Sequence, residues 1–232
     1  MELSDVLSKL KMLGTEQAIK IYKRHGAGDN VFGVSFADLK KLKKQIGTNH
    51  SLAIGLWNSG NSDARSLAMM IADPQKVSPT VATQWMKDVS YYLHAGEVAG
   101  VVAKSPCGPA KMRQWRKQKS EFARSTGYSI LSHMLKDDPE SVDESECRRV
   151  LKEIESEIHR SANRARHAMV MAVISIGVYK PELCAEAIEA GERIGDVDVD
   201  HGETSCTTPK IAAYIQKSVR RATGKAPRIR SC

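Results

Sequence analysis

Apolar residues recur along the chain at the three- and four-residue spacing of amphipathic α-helices, and the alternation typical of β-strands is almost absent. Ser35 and Asp38 have the pattern of a capping box, in which a hydroxyl and a carboxylate satisfy N–H groups that are free at a helix start. Ser78-Pro79, Gly108-Pro109 and Thr208-Pro209 place proline at a first helical position. Glycine, proline and polar breaks separate helices of about 10 to 18 residues. The pattern therefore predicts an all-α chain of helical hairpins.

A short phrase recurs within this helical pattern. Ala-Arg stands one turn into three helices, at Arg65, Arg124 and Arg166, and each helix then becomes apolar. The 42 residues from Arg124 to Arg166 approach the length of one HEAT-type helix pair, whereas the 59 residues from Arg65 to Arg124 must hold irregular extra material. Such pairs bury their apolar faces only against neighbouring pairs. We therefore expect a right-handed α-solenoid of HEAT-like antiparallel helix pairs, about five of them behind an N-terminal helix.

The whole chain, residues 1–232, is predicted to form one solenoid domain. Residues 1–30 form its N-terminal helical cap, residues 31–194 its HEAT-like pairs, and residues 195–232 a loop, a capping helix and a basic tail. A folded chain of this length buries roughly 70% of the surface that its unfolded state exposes. Neither disulfides nor a structural metal is then needed for stability.

The composition narrows the class of protein further. Hydrophobic residues make up 41% and charged residues 27%, which excludes general disorder. No apolar run approaches the ~20 residues that cross a bilayer, and the first residues lack the features of a signal peptide. The five cysteines have no regular spacing, as expected of reduced thiols. We expect a cytoplasmic monomer without membrane contact and without a cofactor.

The net charge of +8 is distributed in blocks. Residues 104–124 carry seven bases and one acid, and residues 137–157 carry nine acids and three bases. A second acidic block covers residues 182–203, and residues 204–232 hold seven bases and no acid. Charge sorted in this way allows one basic surface that attracts a polyanion, although ordinary solvated helix faces are the alternative. The candidate contacts in the first basic block are Lys111, Arg113 and Lys119.

The three arginines of the recurring phrase are further candidates. Arg65, Arg124 and Arg166 are predicted to lie near the N-termini of second helices, where free N–H groups and the positive end of the helix dipole both favour a phosphate. The alternative is that each arginine pairs with an acid such as Asp63 or Glu121.

Two adjacent tyrosines, Tyr91 and Tyr92, stand out in a chain with 5% aromatic residues. Tyrosine can stack on sugars or bases and still form a hydrogen bond through its hydroxyl, but core packing is the alternative. Asp88 and Glu97 flank the pair, and a carboxylate in an aromatic cleft stabilises an oxocarbenium-like sugar when a glycosidic bond breaks. Each is otherwise a surface or capping carboxylate.

A cluster of possible metal ligands surrounds His201 and Cys206. The spacing H-x₄-C is not a standard zinc pattern, and no second pair accompanies it. We expect no metal, and a loop before the last helix is the ordinary interpretation.

Three stretches of the chain resemble a known family. Residues 30–35 (NVFGVS), 56–65 (LWNSGNSDAR) and 85–88 (WMKD) are similar to the HEAT-like-repeat DNA alkylation repair proteins, the bacterial alkylpurine DNA glycosylase family. The resemblance implies an α-solenoid with a basic concave groove for duplex DNA. In the active members of the family it also implies release of N3- or N7-alkylated purines without base flipping. Residues 200–209 resemble a phrase found in one branch of this family.

The resemblance also assigns a site. The family's catalytic arginine falls on Arg124, its tryptophan pair falls on Tyr91 and Tyr92, and its catalytic aspartate falls on Gly96. Either the neighbouring Glu97 substitutes for that aspartate, or the chemistry is absent. One alternative is thus a DNA alkylation repair protein that binds duplex DNA and excises alkylated purines by hydrolysis of the N-glycosidic bond. The other is a catalytically inactive solenoid that binds unusual DNA structures or a protein partner.

Overall fold

The computed structural model describes residues 1–221, in which helices and their connecting loops are found and no β-strand occurs. The predicted all-α class is therefore confirmed. The chain separates into two compact units, the first covering Met1–Gly108 and the second beginning at Pro109. The organisation of the whole chain as a single domain stays a prediction.

The first unit is built from seven α-helices and a short 3₁₀-helix, Pro74–Lys76, among its described residues. The α-helices are α1 (Leu3–Leu13), α2 (Glu16–Arg24), α3 (Phe36–Ile46), α4 (His50–Asn58), α5 (Ser62–Ile71), α6 (Pro79–Asp88) and α7 (Tyr92–Val102). The predicted N-terminal cap over residues 1–30 thus contains two helices. In this unit α5 packs against α3, α4 and α7, so it lies at the centre of the apolar core.

The second unit follows the same plan. Its helices within the described residues are α8 (Gly108–Arg116), α9 (Glu121–Asp137), α10 (Glu144–Glu157), α11 (Asn163–Tyr179), α12 (Cys184–Ile194) and α13 (Ile211–Arg221). The second helices of successive pairs pack on each other, α11 against α9 and α13, and the first helices α10 and α12 do the same.

Up to residue 221, no single helix is long and apolar enough to cross a membrane. One sharply bent pair, Asn163–Tyr179 with Pro181–Ile194, meets the requirements for a membrane span by length and composition only.

Most helix starts follow the sequence signals. Ser35 Oγ accepts the N–H of Asp38 at 3.1 Å, as the predicted cap requires, but the Asp38 carboxylate accepts from the Ser35 hydroxyl at 2.7 Å and not from a backbone N–H, so only the hydroxyl half of the capping box is formed. Ser78 caps α6 through the N–H of Val81, with Pro79 as the first helical residue. These signals are local, so they report the structure of their own segment.

The predicted start at Thr208-Pro209 is wrong. Helix α13 begins at Ile211, and the carbonyl of Lys210 accepts its first helical bond, from Tyr214. The Thr208 hydroxyl lies 3.0 Å from His201 Nε2. Because the hydroxyl bonds within the preceding loop, it does not cap the helix.

Asp63, in the first turn of α5, holds the segment that leads into α3. Its Oδ2 accepts the N–H groups of Phe32 at 2.6 Å and Gly33 at 3.0 Å, and its Oδ1 accepts that of Val34 at 2.8 Å. Gly33 has φ +78°, and a Cβ there would approach the Thr15 carbonyl oxygen to 2.5 Å, so only glycine fits. The carboxylate thus satisfies three backbone donors that would otherwise lose their hydrogen bonds on burial.

A close approach also fixes the first helix pair of the second unit. A Cβ at Gly127 in α9 would lie 2.4 Å from the backbone nitrogen of Arg116, the last residue of α8. Glycine at this position therefore lets the two helices touch through their backbones.

We predict that Asp63→Asn lowers the free energy of unfolding by about 2–4 kcal/mol, because the amide group places a donor against backbone N–H donors in a buried site. Chemical denaturation measures the change. Asp29→Asn is the matched control, since Asp29 is exposed and its carboxylate pairs only with Lys23, across 2.8 Å, among residues 1–221; it should cost less than about 1 kcal/mol. Equal losses in the two variants would contradict the role assigned to Asp63.

Candidate nucleic-acid interface

The two candidate tyrosines of the first unit have different environments. Tyr91 precedes α7 and is 5% exposed, and its ring lies 5.0 Å from that of Tyr92 and 5.2 Å from that of His94. Burial raises the pKa of Tyr91, and the neighbouring Tyr92 and Glu97 raise it further. Tyr91 is therefore packed in the core, which was the alternative to a DNA contact. Tyr92 is half-buried and is the more accessible ring of the two.

Glu97 lies in α7 with its carboxyl group turned toward α5. Its Oε2 accepts a hydrogen bond from Ser66 Oγ at 3.0 Å. Burial raises the pKa of Glu97 to about 8, and the bond from Ser66 only partly offsets this. At neutral pH the group is therefore mostly a neutral acid and carries little negative charge.

Gly96, which the resemblance places at the catalytic aspartate, is an exposed residue of α7. A Cβ built there would meet no atom within 4 Å. The position therefore lacks a carboxylate and has room for one.

Arg65 in α5 is half-buried and holds its own neighbours together. Its Nε donates to the Trp57 carbonyl at 3.3 Å and its Nη1 to the Asp88 carbonyl at 3.0 Å, while the guanidinium lies 4.9 Å from the Trp57 ring centre. Trp57 Nε1 in turn donates to Asp88 Oδ2 at 2.9 Å. Burial lowers the pKa of Arg65, and the charge of Asp88 opposes that shift. Asp88 thus has a structural role, as the acceptor for Trp57 and Arg65. The DNA contact of Arg65 stays a prediction.

In the second unit, Arg124 lies in the first turn of α9 and forms an ion pair with Glu157, the last residue of α10. It also hydrogen-bonds the Tyr128 hydroxyl, which donates to Glu153 Oε1 at 2.5 Å. Burial disfavours the charge of Arg124, but the bonds to Glu157 and Tyr128 outweigh it and raise the pKa. Its Nε is buried and has no hydrogen-bond partner in the described part of the chain.

Two more arginines of the first basic block, Arg113 and Arg116, pair with acids of helix α10. The buried Arg116 donates to Glu146 at 2.5 Å and to Glu153 at 3.0 Å. The exposed Arg113 lies 3.6 Å from the same Glu146. Lys111 is only 7% exposed, and its ammonium donates to Gln114 at 3.1 Å. The arginines of this block are therefore paired with acids of α10, and a basic surface stays a prediction for the remaining lysines.

Two lysines between α8 and α9 remain open. Lys117 and Lys119 are exposed, and neither has an ion-pair or hydrogen-bond partner among residues 1–221. Of the basic-block candidates, Lys119 thus keeps a charge that a ligand can use.

Arg166 is a third candidate cation of this unit, after Lys117 and Lys119. It lies one turn into α11, is half-buried, and has a buried Nε without a partner in the described structure. The N–H of Arg164, at the start of the same helix, donates to Glu121 Oε1 at 2.7 Å. The helix start is therefore capped by an acid of this chain.

The loop over residues 200–208 packs beside the start of α11. Asn163 donates to the Asp200 carbonyl at 2.7 Å and accepts the Asp200 N–H at 2.8 Å. The His201 ring lies 5.4 Å from that of His167, and burial lowers the pKa of His167 to about 4. The described residues contain no group of three or more potential ligands arranged for a metal ion, and the loop's visible contacts are structural.

The chain matches the DNA alkylation repair enzyme family over residues 6–210. It is a member of that family. The uncharacterised protein Lin0241 of Listeria innocua is 31% identical over 221 residues, covering 92% of this chain and 96% of that protein. Lmo0209 of Listeria monocytogenes, also uncharacterised, is 29% identical with the same coverage.

A solved structure covers all of this family member and is itself fully covered, with a TM-score of 0.89 and 27% identity. It is described as representing a new family of proteins related to the HEAT-like repeat DNA glycosylases, with affinity for branched DNA structures. The predicted fold class, a solenoid of HEAT-like helix pairs, is confirmed by this likeness.

Within this family member, the structure brings Tyr91, Tyr92 and Glu97 into one neighbourhood of the first unit. Glu157 and Tyr128, which bond Arg124, were not predicted as parts of this site. The available signal was spacing, since Glu157 follows Arg124 by 33 residues, close to the separations of the other polar partners between helix pairs. Spacing alone does not identify which acid forms the ion pair with Arg124.

We predict that Glu97 makes stability fall as pH rises toward 8. Between its ordinary pKa of 4.5 and about 8, the folded chain keeps a proton that the unfolded chain has lost, so unfolding is favoured by up to about 1.4 kcal/mol per pH unit. Glu97→Gln stays neutral and should remove this slope. Denaturation at pH 6.5 and 8.5 tests it, with exposed Glu192→Gln as the control. Parallel pH curves for the parent and Glu97→Gln would refute the shift.

Proposed function

We propose that this protein binds DNA as a recognition module, with a preference for branched structures over linear duplex. The proposal rests on one combination: the chain has the fold of the HEAT-like structural relative, but it has glycine at position 96, where the family resemblance places an aspartate. A chain that keeps the binding scaffold and lacks the reactive carboxylate is suited to holding DNA. The affinity for branched DNA described for the structural relative supports the choice of ligand.

The charges of the second unit support binding to phosphates. Lys117 and Lys119 are exposed cations, and Arg166 offers a guanidinium whose Nε has no partner among the described residues. Cations that replace condensed counterions on DNA gain affinity through counterion release, without reading the base sequence. Such contacts suit a protein that recognises DNA shape.

The state of Glu97 also favours binding over catalysis. A glycosylase of this kind must stabilise the positive charge that develops on the deoxyribose. A neutral acid does not supply the negative charge that this stabilisation needs. With its pKa raised to about 8, Glu97 is mostly neutral at pH 7. Neither position 96 nor position 97 then carries a full negative charge.

Binding should be tested with a four-way junction and a linear duplex of equal length over a series of salt concentrations. We expect tighter binding to the junction and a steep loss of affinity with salt. Replacing Lys117 and Lys119 together by Ala should lower the salt slope by about 1.8, or about 0.9 for each lost phosphate contact. The matched control is Lys41→Ala with Lys76→Ala, since these lysines are similarly exposed but pair with acids at 2.8 and 3.9 Å. No binding at low salt, or equal slopes in both double variants, would contradict the proposal.

Excision of alkylated purines is the second candidate function, and one observation favours it. Glu97 lies next to the vacant position and is bonded only to Ser66 among the described residues. If Glu97 supplies the missing charge, base release must rise as pH increases through about 8, because only the ionised form stabilises the sugar cation.

Release of N7-methylguanine from duplex DNA distinguishes the two candidates. We expect the parent protein to match the spontaneous rate at pH 7, and Gly96→Asp to exceed it by roughly 10²-fold, since the new side chain meets no obstruction. Gly96→Asn is the uncharged control and should stay at the spontaneous rate. Parent activity that rises with pH and is lost in Glu97→Gln would establish the second candidate instead.

A further inference from the structure

The ion pair between Arg124 and Glu157 lies at the surface of the second unit. The side chain of Glu157 is 42% exposed and that of Arg124 is 20% exposed. A pair of this exposure contributes little to stability, because water screens it. The carboxylate therefore holds the guanidinium in a bond that another anion can replace.

Arg124 is held from the interior by a different set of contacts. The Tyr128 hydroxyl bonds the guanidinium and donates to Glu153, which accepts from the buried Arg116 at 3.0 Å. This chain fixes the direction of Arg124 without using Glu157. Removing Glu157 should thus leave the guanidinium in place with an open donor.

A second carboxylate of this chain occupies a similar position. Glu121, in the same first turn of α9, accepts the N–H of Arg164 at the start of α11, a helix whose own N-cap residue, Ala162, has no side-chain bond to it. Helix starts and arginines are the features that favour a phosphate. In this unit, acids of the protein meet both of them.

We propose that Glu157 stands in for a DNA phosphate on Arg124 and acts as a built-in competitor that lowers the affinity for DNA. The inference rests on the proposed DNA-binding function. A phosphate must displace Glu157 before it reaches Arg124, and this cost is the same for every nucleic acid that uses the arginine. The affinity is thus set by a repulsive group as well as by attractive ones.

The test compares two variants with the same change in charge on the same helix. Glu157→Gln frees Arg124, whereas Glu144→Gln removes an acid of 43% exposure that pairs with Arg148 at 3.0 Å. We expect Glu157→Gln to bind a linear duplex and a junction about 3- to 10-fold more tightly than the parent protein does, because neither ligand then has to displace the carboxylate. Glu144→Gln should change both affinities by less than about 2-fold. Glu157→Ala provides a second version of the change.

Arg124→Gln completes the cycle. In that background, Glu157→Gln should gain no more than the control variant does, because the competed cation is gone. Equal gains from Glu157→Gln and Glu144→Gln, or weaker binding by both Glu157 variants, would overturn the inference while leaving DNA binding intact. Absence of DNA binding by the parent and by Glu157→Gln would overturn the proposed function itself.

Discussion

Polar bonds between the starts of helices about one repeat apart are the constraint on which each unit depends. In the first unit, Asp63 accepts three N–H groups of residues 32–34, and His94 Nε2 donates to the Ser62 carbonyl at 3.0 Å. In the second unit, Glu121 accepts the Arg164 N–H. Apolar faces alone allow stacked helices to slide, whereas a buried backbone donor accepts only a precisely placed partner. These bonds therefore fix the register of each helix pair on the next.

The same constraint decides how much positive charge is left for a ligand. Acids that satisfy helix starts and arginines inside a unit neutralise charges that composition alone would count as available. Arg116 forms ion pairs with Glu146 and Glu153. Lys117 and Lys119, a few residues away, have no ion-pair partner within the described chain. Net charge thus describes long-range attraction to a polyanion, and the pairing pattern describes where that polyanion can bind.

Local features could be predicted from the sequence, and distant partners could not. The cap at Ser35, the break before Pro79 and the Ala-Arg helices follow from neighbouring residues, so their signals are complete in the sequence. The start of α13 was misplaced because the Thr208 hydroxyl bonds His201 instead of the helix. The neutral state of Glu97 depends on burial against another helix, and the occupation of Arg124 depends on an acid 33 residues away. Both require the packed structure.

The residues that carry the family resemblance explain why fold and activity separate. Trp57 bonds Asp88, the Asp88 carbonyl accepts from Arg65, and Asp63 accepts from the segment before α3. The motifs that carry the family resemblance therefore build the first unit and have to be kept for stability. Gly96 is exposed, and a Cβ there would meet no other described part of the chain within 4 Å, so a carboxylate can be gained or lost there without disturbing the core. Similarity across the chain therefore measures how well the scaffold is preserved. Whether that scaffold cuts a glycosidic bond or only holds DNA is decided at a few open positions that packing does not constrain.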